Sequence, residues 1–127
     1  MKFVITDREI KTEVGYGTLT ISANEEEGFR PYQLLVASIA GCSASVFRTI
    51  LHKQRIDFDE FIIEADVSRN EKEANRVEKI ALTFKIKVNN LDEKKMERNL
   101  AITRKHCSMV RSVENSIEIV EKLELYS

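Results

Sequence analysis

The stretch LLVASIAGCSASVF, residues 34–47, is the most apolar run in the chain and carries Cys42, one of only two cysteines. Pro31 stands just ahead of it, and proline suits the first turn of a helix, where its missing N–H costs nothing. The run continues through FRTILHK, which predicts one long helix from Pro31 to about Lys53, ended by QRIDFDE. Within it Ala37, Gly41 and Ser45 stand four apart, flanked by Ala40 and Ala44, a smooth strip on which another helix can approach closely. A mid-helix glycine costs about 1 kcal/mol relative to alanine. Close packing at Gly41, or space needed beside Cys42, has to compensate.

The helix is apolar over more than one face. Leu34, Leu35, Val36, Ile39, Val46, Phe47, Ile50 and Leu51 do not fit one narrow stripe, and a helix apolar nearly all round has to be covered on all sides. A sheet and one partner helix cover two sides. A second copy of the chain would cover the rest, so an intimate homodimer is expected. The run is also about the length of a membrane span. Ser38, Ser43, Ser45, Arg48 and Thr49 interrupt it, however, which favours a buried core helix and no membrane association.

The remaining elements follow by outward reading. KFVIT and TEVGYGTLTIS read as two strands, with Gly15 and Gly17 marking a bend or bulge in the second. FIIEADVS alternates Ile63, Ala65 and Val67 with Glu64, Asp66 and Ser68. In KIALTFKIKV the residues Ile80, Leu82, Phe84, Ile86 and Val88 share one face, opposite Lys79, Lys85 and Lys87. That is the period-2 signature of a sheet with one buried and one wet face, and RNEKEANR between the two runs reads as a solvated hairpin tip. Asp92 is a good N-cap for a helix from about Glu93 toward Lys105, on which Met96, Leu100, Thr103 and Cys107 form one stripe. Ile117, Ile119, Leu123 and Leu125 mark a closing strand. The order ββ-α-ββ-α-β places the chain in the α+β class, an antiparallel sheet packed on helices.

A chain of 127 residues is the size of one domain, here spanning 1–127. It is 43% hydrophobic and 32% charged with a net charge of -1, so it lacks the basic excess that would suggest nucleic acid or an anionic membrane as partner. MKFVITDREIK holds no signal-peptide hydrophobic region, so a cytoplasmic location is expected. There both cysteines stay reduced unless they do redox work.

Taken one at a time, the cysteines read differently. Cys42 is mid-helix in an apolar run, where desolvation disfavours the thiolate. Cys107 lies among Arg104, Lys105, His106 and Arg111, and SMVRSVENS can form a short helix with Cys107 at its start. Cations and a helix start both favour a thiolate. Adjacent helical residues point about 100° apart, so His106 and Cys107 make a poor nucleophile–base pair. With no CxxC or HxxxH spacing, a zinc site drawing on His52 and His106 is not expected, nor is any other metal or cofactor.

Pro31-Tyr32-Gln33-Leu34-Leu35-Val36-Ala37-Ser38-Ile39-Ala40-Gly41-Cys42 closely resembles the first cysteine motif of the OsmC/Ohr family, and His106-Cys107-Ser108-Met109-Val110 its second, with serine in place of the usual proline. The resemblance runs over essentially the whole chain. It implies a domain-swapped homodimer whose sheets wrap two long central helices. It also implies thiol chemistry and a stress response: Cys42 attacks an organic hydroperoxide, Cys107 resolves the sulfenic acid as a disulfide, and a small dithiol reduces the protein again. Peroxidase members carry a glutamate after the helix-opening proline, where this chain has Tyr32, and an arginine from the N-terminal segment, where Arg8 is the sole arginine of TDREIKTEVGYGTLT. Arg30 and Arg111 are further candidates for that cation, and Tyr32 for a hydrogen bond to a peroxide oxygen or a pocket wall. The alternative expectation is a protein that keeps the scaffold without the peroxidase apparatus and binds an apolar small molecule at the dimer interface.

Overall fold

Strands β4 (Phe58–Asn70) and β5 (Arg76–Val88) form a long antiparallel hairpin. Its inner face is the one the alternation marks: Ile80, Leu82, Phe84, Ile86 and Val88 are all buried. On the outer face Lys85 meets Glu64 at 3.0 Å. The computed structural model describes residues 1–89 and 92–127. It divides into two compact units, Met1–Ala37 and Ser38–Ser127.

In the second unit, helix α1 (Pro31–Lys53, which begins in the first unit) lays Ile39, Ser43, Phe47 and Leu51 on one buried stripe. Phe47 packs against Phe61 and Phe84, with ring centroids 5.5 and 5.4 Å away. The helix is long and apolar enough to cross a membrane by length and composition, but this packed stripe makes it a core helix. Helix α2 (Glu93–His106) starts where Asp92 accepts a hydrogen bond from the backbone N–H of Lys95, as an N-cap should. Its buried face is Met96, Asn99, Leu100 and Thr103. Two reciprocal amide hydrogen bonds of 2.8 Å join Asn99 to Gln54, just past the end of α1. Helix α3 (Ser108–Val113) follows α2 with only Cys107 between them.

Strand β6 (Glu118–Tyr126) then enters the sheet beside β5 and parallel to it. The antiparallel arrangement expected from the sequence therefore holds for β4–β5 and not for β6. The physical reason is the connection: a helical crossover returns the chain to the end of the sheet where β5 began, whereas a tight hairpin would reverse it. The register pairs Ile80 with Ile119, Leu82 with Glu121 and Phe84 with Leu123. A carboxylate thus interrupts the apolar face of β6.

The first unit is a three-strand meander of β1 (Phe3–Ile5), β2 (Ile10–Glu13) and β3 (Thr18–Ile21), all antiparallel. TEVGYGTLTIS is accordingly two strands and not one bent strand. Val14 and Gly17 exchange backbone hydrogen bonds of 2.9 and 3.0 Å, closing a tight turn over Gly15 and Tyr16. Gly28 is required by close approach, since a Cβ there would lie 2.9 Å from the carbonyl oxygen of Thr20.

Candidate active site

Cys42 and Ser43 are neighbours on α1 and so point in different directions. Ser43 falls on the buried stripe, and Cys42 beside it is half-buried. Cys107 occupies the junction of α2 and α3. Its N–H closes the last turn of α2 on the carbonyl of Thr103, and its own backbone is extended, with φ -80 and ψ 106. This break in the helix carries the Cys107 side chain to complete the Met96–Leu100–Thr103 stripe, fully buried.

The two helical segments bring both cysteines together, and each is followed by a serine. The Ser43 hydroxyl donates to the Cys107 sulfur at 3.4 Å. The Cys42 sulfur lies 3.7 Å from the Ser108 hydroxyl. All four residues belong to the Ser38–Ser127 unit.

The surroundings treat the two thiols oppositely. Cys42 is pushed below the ordinary thiol range, chiefly by a hydrogen bond from the backbone of Met109. Burial opposes this, while the Cys107 thiol and the hydroxyl and backbone N–H of Ser108 add to it. Cys107 is pushed up, above all by burial, with the neighbouring Cys42 sulfur adding to the rise and the Ser43 hydroxyl and the Val110 backbone opposing it. Of the two thiols, Cys42 is therefore the easier to ionise, and Cys107 the one that holds its proton more tightly. This reverses the reading of each cysteine from its sequence neighbours. The apolar helix leaves Cys42 within reach of backbone donors, whereas two of the cations around Cys107 are engaged elsewhere. Arg104 donates to the carbonyl of Ile119 at 2.7 Å and meets Glu121 at 3.4 Å. Arg111 pairs with Glu114 at 3.1 Å.

The other expected site residues lie apart from this cluster in the chain. Arg8, Arg30 and Tyr32 belong to the Met1–Ala37 unit. There the Arg30 guanidinium stacks over the Tyr32 ring at 4.8 Å, and the backbone N–H of Arg8 donates to Thr6 at 3.3 Å. His52 stacks on Phe58 with ring centroids 6.5 Å apart. Among the described residues no group of three or more His, Cys, Asp or Glu side chains is placed to hold a metal ion.

Ser43 and Ser108 are functional candidates that the reading of motifs passed over. The signal was present, since the dipeptide Cys-Ser occurs at both cysteines. Val46, Thr49, Ile50, Ile102 and His106 line an open groove of about 380 Å³ beside α1 and α2.

The family model described as OsmC-like protein matches residues 24–122. Among solved structures, a hypothetical protein of Aquifex aeolicus VF5 superposes with a TM-score of 0.85 at 23% identity, covering 98% of this chain and 93% of that one. An OsmC-like protein of Mycoplasma pneumoniae gives a TM-score of 0.84 at 15% identity, with coverages of 99% and 95%. The organic hydroperoxide resistance protein OhrB of Bacillus subtilis gives 0.61 at 20% identity, with coverages of 98% and 95%. At these identities the superpositions establish the fold, α+β with two small sheets and helices. The comparison with curated proteins returned no match.

Proposed function

The chain belongs to the OsmC-like protein family, and from that premise we propose that it is a thiol-dependent reductase of organic hydroperoxides with a role in peroxide stress. The observation that carries this reading is the reciprocal contact of the two Cys-Ser pairs, with the charge favoured on Cys42. The Cys42 thiolate attacks the distal oxygen of ROOH. The O–O bond breaks, the alkoxide takes a proton and leaves as ROH, and Cys42 becomes a sulfenic acid. The Cys107 sulfur then attacks the Cys42 sulfur, water departs, and a Cys42–Cys107 disulfide remains. A small dithiol reduces it and is itself oxidised. The two thiols carry both electrons, so no cofactor enters the scheme, and the dithiol suits a reducing cytoplasm.

The working form is a homodimer in this proposal. Ala37, Gly41 and Ser45, the small-residue strip of α1, are exposed in the single chain. Among the described residues nothing outside the helix's own backbone and Gly41's chain neighbours approaches within 4 Å of a Cβ built on Gly41. The glycine is therefore not explained by packing within its own chain. Phe3, Val4, Ile5 and Phe29 of the first unit are likewise exposed, which a second copy would cover. The swapped arrangement of sheets around two central helices is part of the same proposal, as is a single functional domain over 1–127.

The apolar groove at Val46, Ile50 and Ile102 favours a second reading, a protein that binds an apolar small molecule without turnover. Steady-state consumption of cumene hydroperoxide with dithiothreitol separates the two. The proposal predicts turnover in the wild type and none in Cys42→Ser, while Cys107→Ser given hydroperoxide without dithiothreitol consumes one equivalent and is left with a sulfenic acid trappable by dimedone. Equal consumption in all three proteins would sink the two-cysteine mechanism.

A further inference from the structure

Ser108 stands where the second cysteine motif of the resembled family carries proline, and its hydroxyl lies 3.7 Å from the Cys42 sulfur. We infer that Ser108 is a catalytic residue of this chain, whose hydroxyl and backbone N–H both hold the Cys42 thiolate in the attacking state. The inference rests on the proposed role of Cys42 as the reactive thiol.

Three observations converge on it. A serine offers two donors at this position, an O–H and an N–H, and proline offers neither. Both groups act on Cys42 in the direction that favours its charged form, alongside the Met109 backbone. The two arginines nearest Cys107 in the sequence are engaged elsewhere, the guanidinium of Arg104 by Ile119 and Glu121 and that of Arg111 by Glu114. A charged sulfur at the edge of an apolar core needs hydrogen-bond donors to offset its desolvation; the Ser108 hydroxyl stands at that sulfur, and the Ser108 backbone favours the charged form in the same direction. The carbonyl of Ser108 is separately occupied, accepting from the Ser112 hydroxyl at 2.7 Å.

The local backbone makes a graded test possible. Cys107 is extended, as the residue before a proline has to be, and Ser108 is the first residue of α3, where proline is tolerated. Ser108→Ala removes only the hydroxyl, Ser108→Pro removes hydroxyl and N–H, and Ser108→Thr restores the hydroxyl. The readout is the rate of iodoacetamide alkylation at Cys42 against pH, with the modified cysteine identified by peptide mass spectrometry on the full reduced chain. At neutral pH, Ser108→Ala should react about threefold more slowly than the wild type. Ser108→Pro should be slower again, with the pH midpoint rising at each step, and Ser108→Thr should return to the wild-type profile. Wild-type profiles in both Ser108→Ala and Ser108→Pro would overturn the inference. If Ser108→Pro does not fold, Ser108→Ala alone decides. The readout does not need peroxide turnover: a shifted midpoint in a protein that never consumes hydroperoxide would sustain the role of Ser108 and refute the peroxidase reading.

Discussion

The hydroxyl of Ser43 donates to the sulfur of Cys107 across 3.4 Å, although 64 residues separate them in the chain. The relation is mirrored by Ser108 and Cys42 at 3.7 Å. Each cysteine is thus served by the serine that follows the other one. The sulfurs are nonetheless unequal: Cys42 is half-buried and favoured as a thiolate chiefly by the Met109 backbone, and Cys107 is sealed in the core, where burial holds its proton.

That inequality predicts a pH dependence. Because Cys42 sits below the ordinary thiol range and Cys107 above it, alkylation of the native protein should modify Cys42 first. The rate should rise with pH and level off below the pH at which a free thiol does. The same shift contributes to stability with a definite sign. A thiol whose pKa is lowered by folding adds stability above its unfolded pKa, and that contribution is lost as pH falls through the folded value. Preferential labelling of Cys107 in the native state would contradict the assignment.

Much of the fold was legible because burial leaves a periodic trace. The β5 alternation, the α2 stripe ending at Cys107 and the start of α1 at Pro31 all stand in the structure where the pattern puts them. The turn over Gly15 and Tyr16 was less legible, since the same glycines suit a bulge. So was the parallel entry of β6, because strand periodicity carries no direction. The candidate site was half legible. Motif spacing singles out two cysteines that the fold brings together, but sequence neighbours do not reveal which way a side chain faces, so neither the engagement of Arg104 and Arg111 elsewhere nor the contacts of Ser43 and Ser108 could be read from them.

Glu121 offers a test of the core independent of the thiols. Its side chain is 4% exposed beside Leu82 on the core side of β6, and one of its carboxylate oxygens is buried without a hydrogen-bond partner. Burial raises its pKa more than Arg104 lowers it. The folded chain therefore holds that proton more tightly than the unfolded one, and stability falls as pH rises from the ordinary carboxylate value through the raised one. Glu121→Gln should flatten this dependence and unfold at higher urea than the wild type at neutral pH, with the advantage vanishing in acid. Lower stability of Glu121→Gln at neutral pH would mean that the Arg104 pair outweighs the burial cost.

Gly41 tests the dimer. With open space around it in the single chain, Gly41→Ala should strengthen α1 by up to about 1 kcal/mol if only helix propensity is at stake. If a second helix packs there, Gly41→Leu should split the dimer, read by light scattering as a change from the mass of two chains to that of one. An unchanged two-chain mass in Gly41→Leu would place the contact elsewhere.

The central claim is that Cys42 and Cys107 form one redox pair, and a thiol count tests it most directly. The protein is reduced, freed of reductant, given one equivalent of cumene hydroperoxide per chain, and its free thiols are titrated against an untreated control. The account predicts rapid loss of both thiols in every chain, a Cys42–Cys107 disulfide in the peptide map, and full recovery with a dithiol. Survival of both thiols in excess hydroperoxide would contradict it, and would leave the pair as packing in a protein whose work lies in its apolar groove.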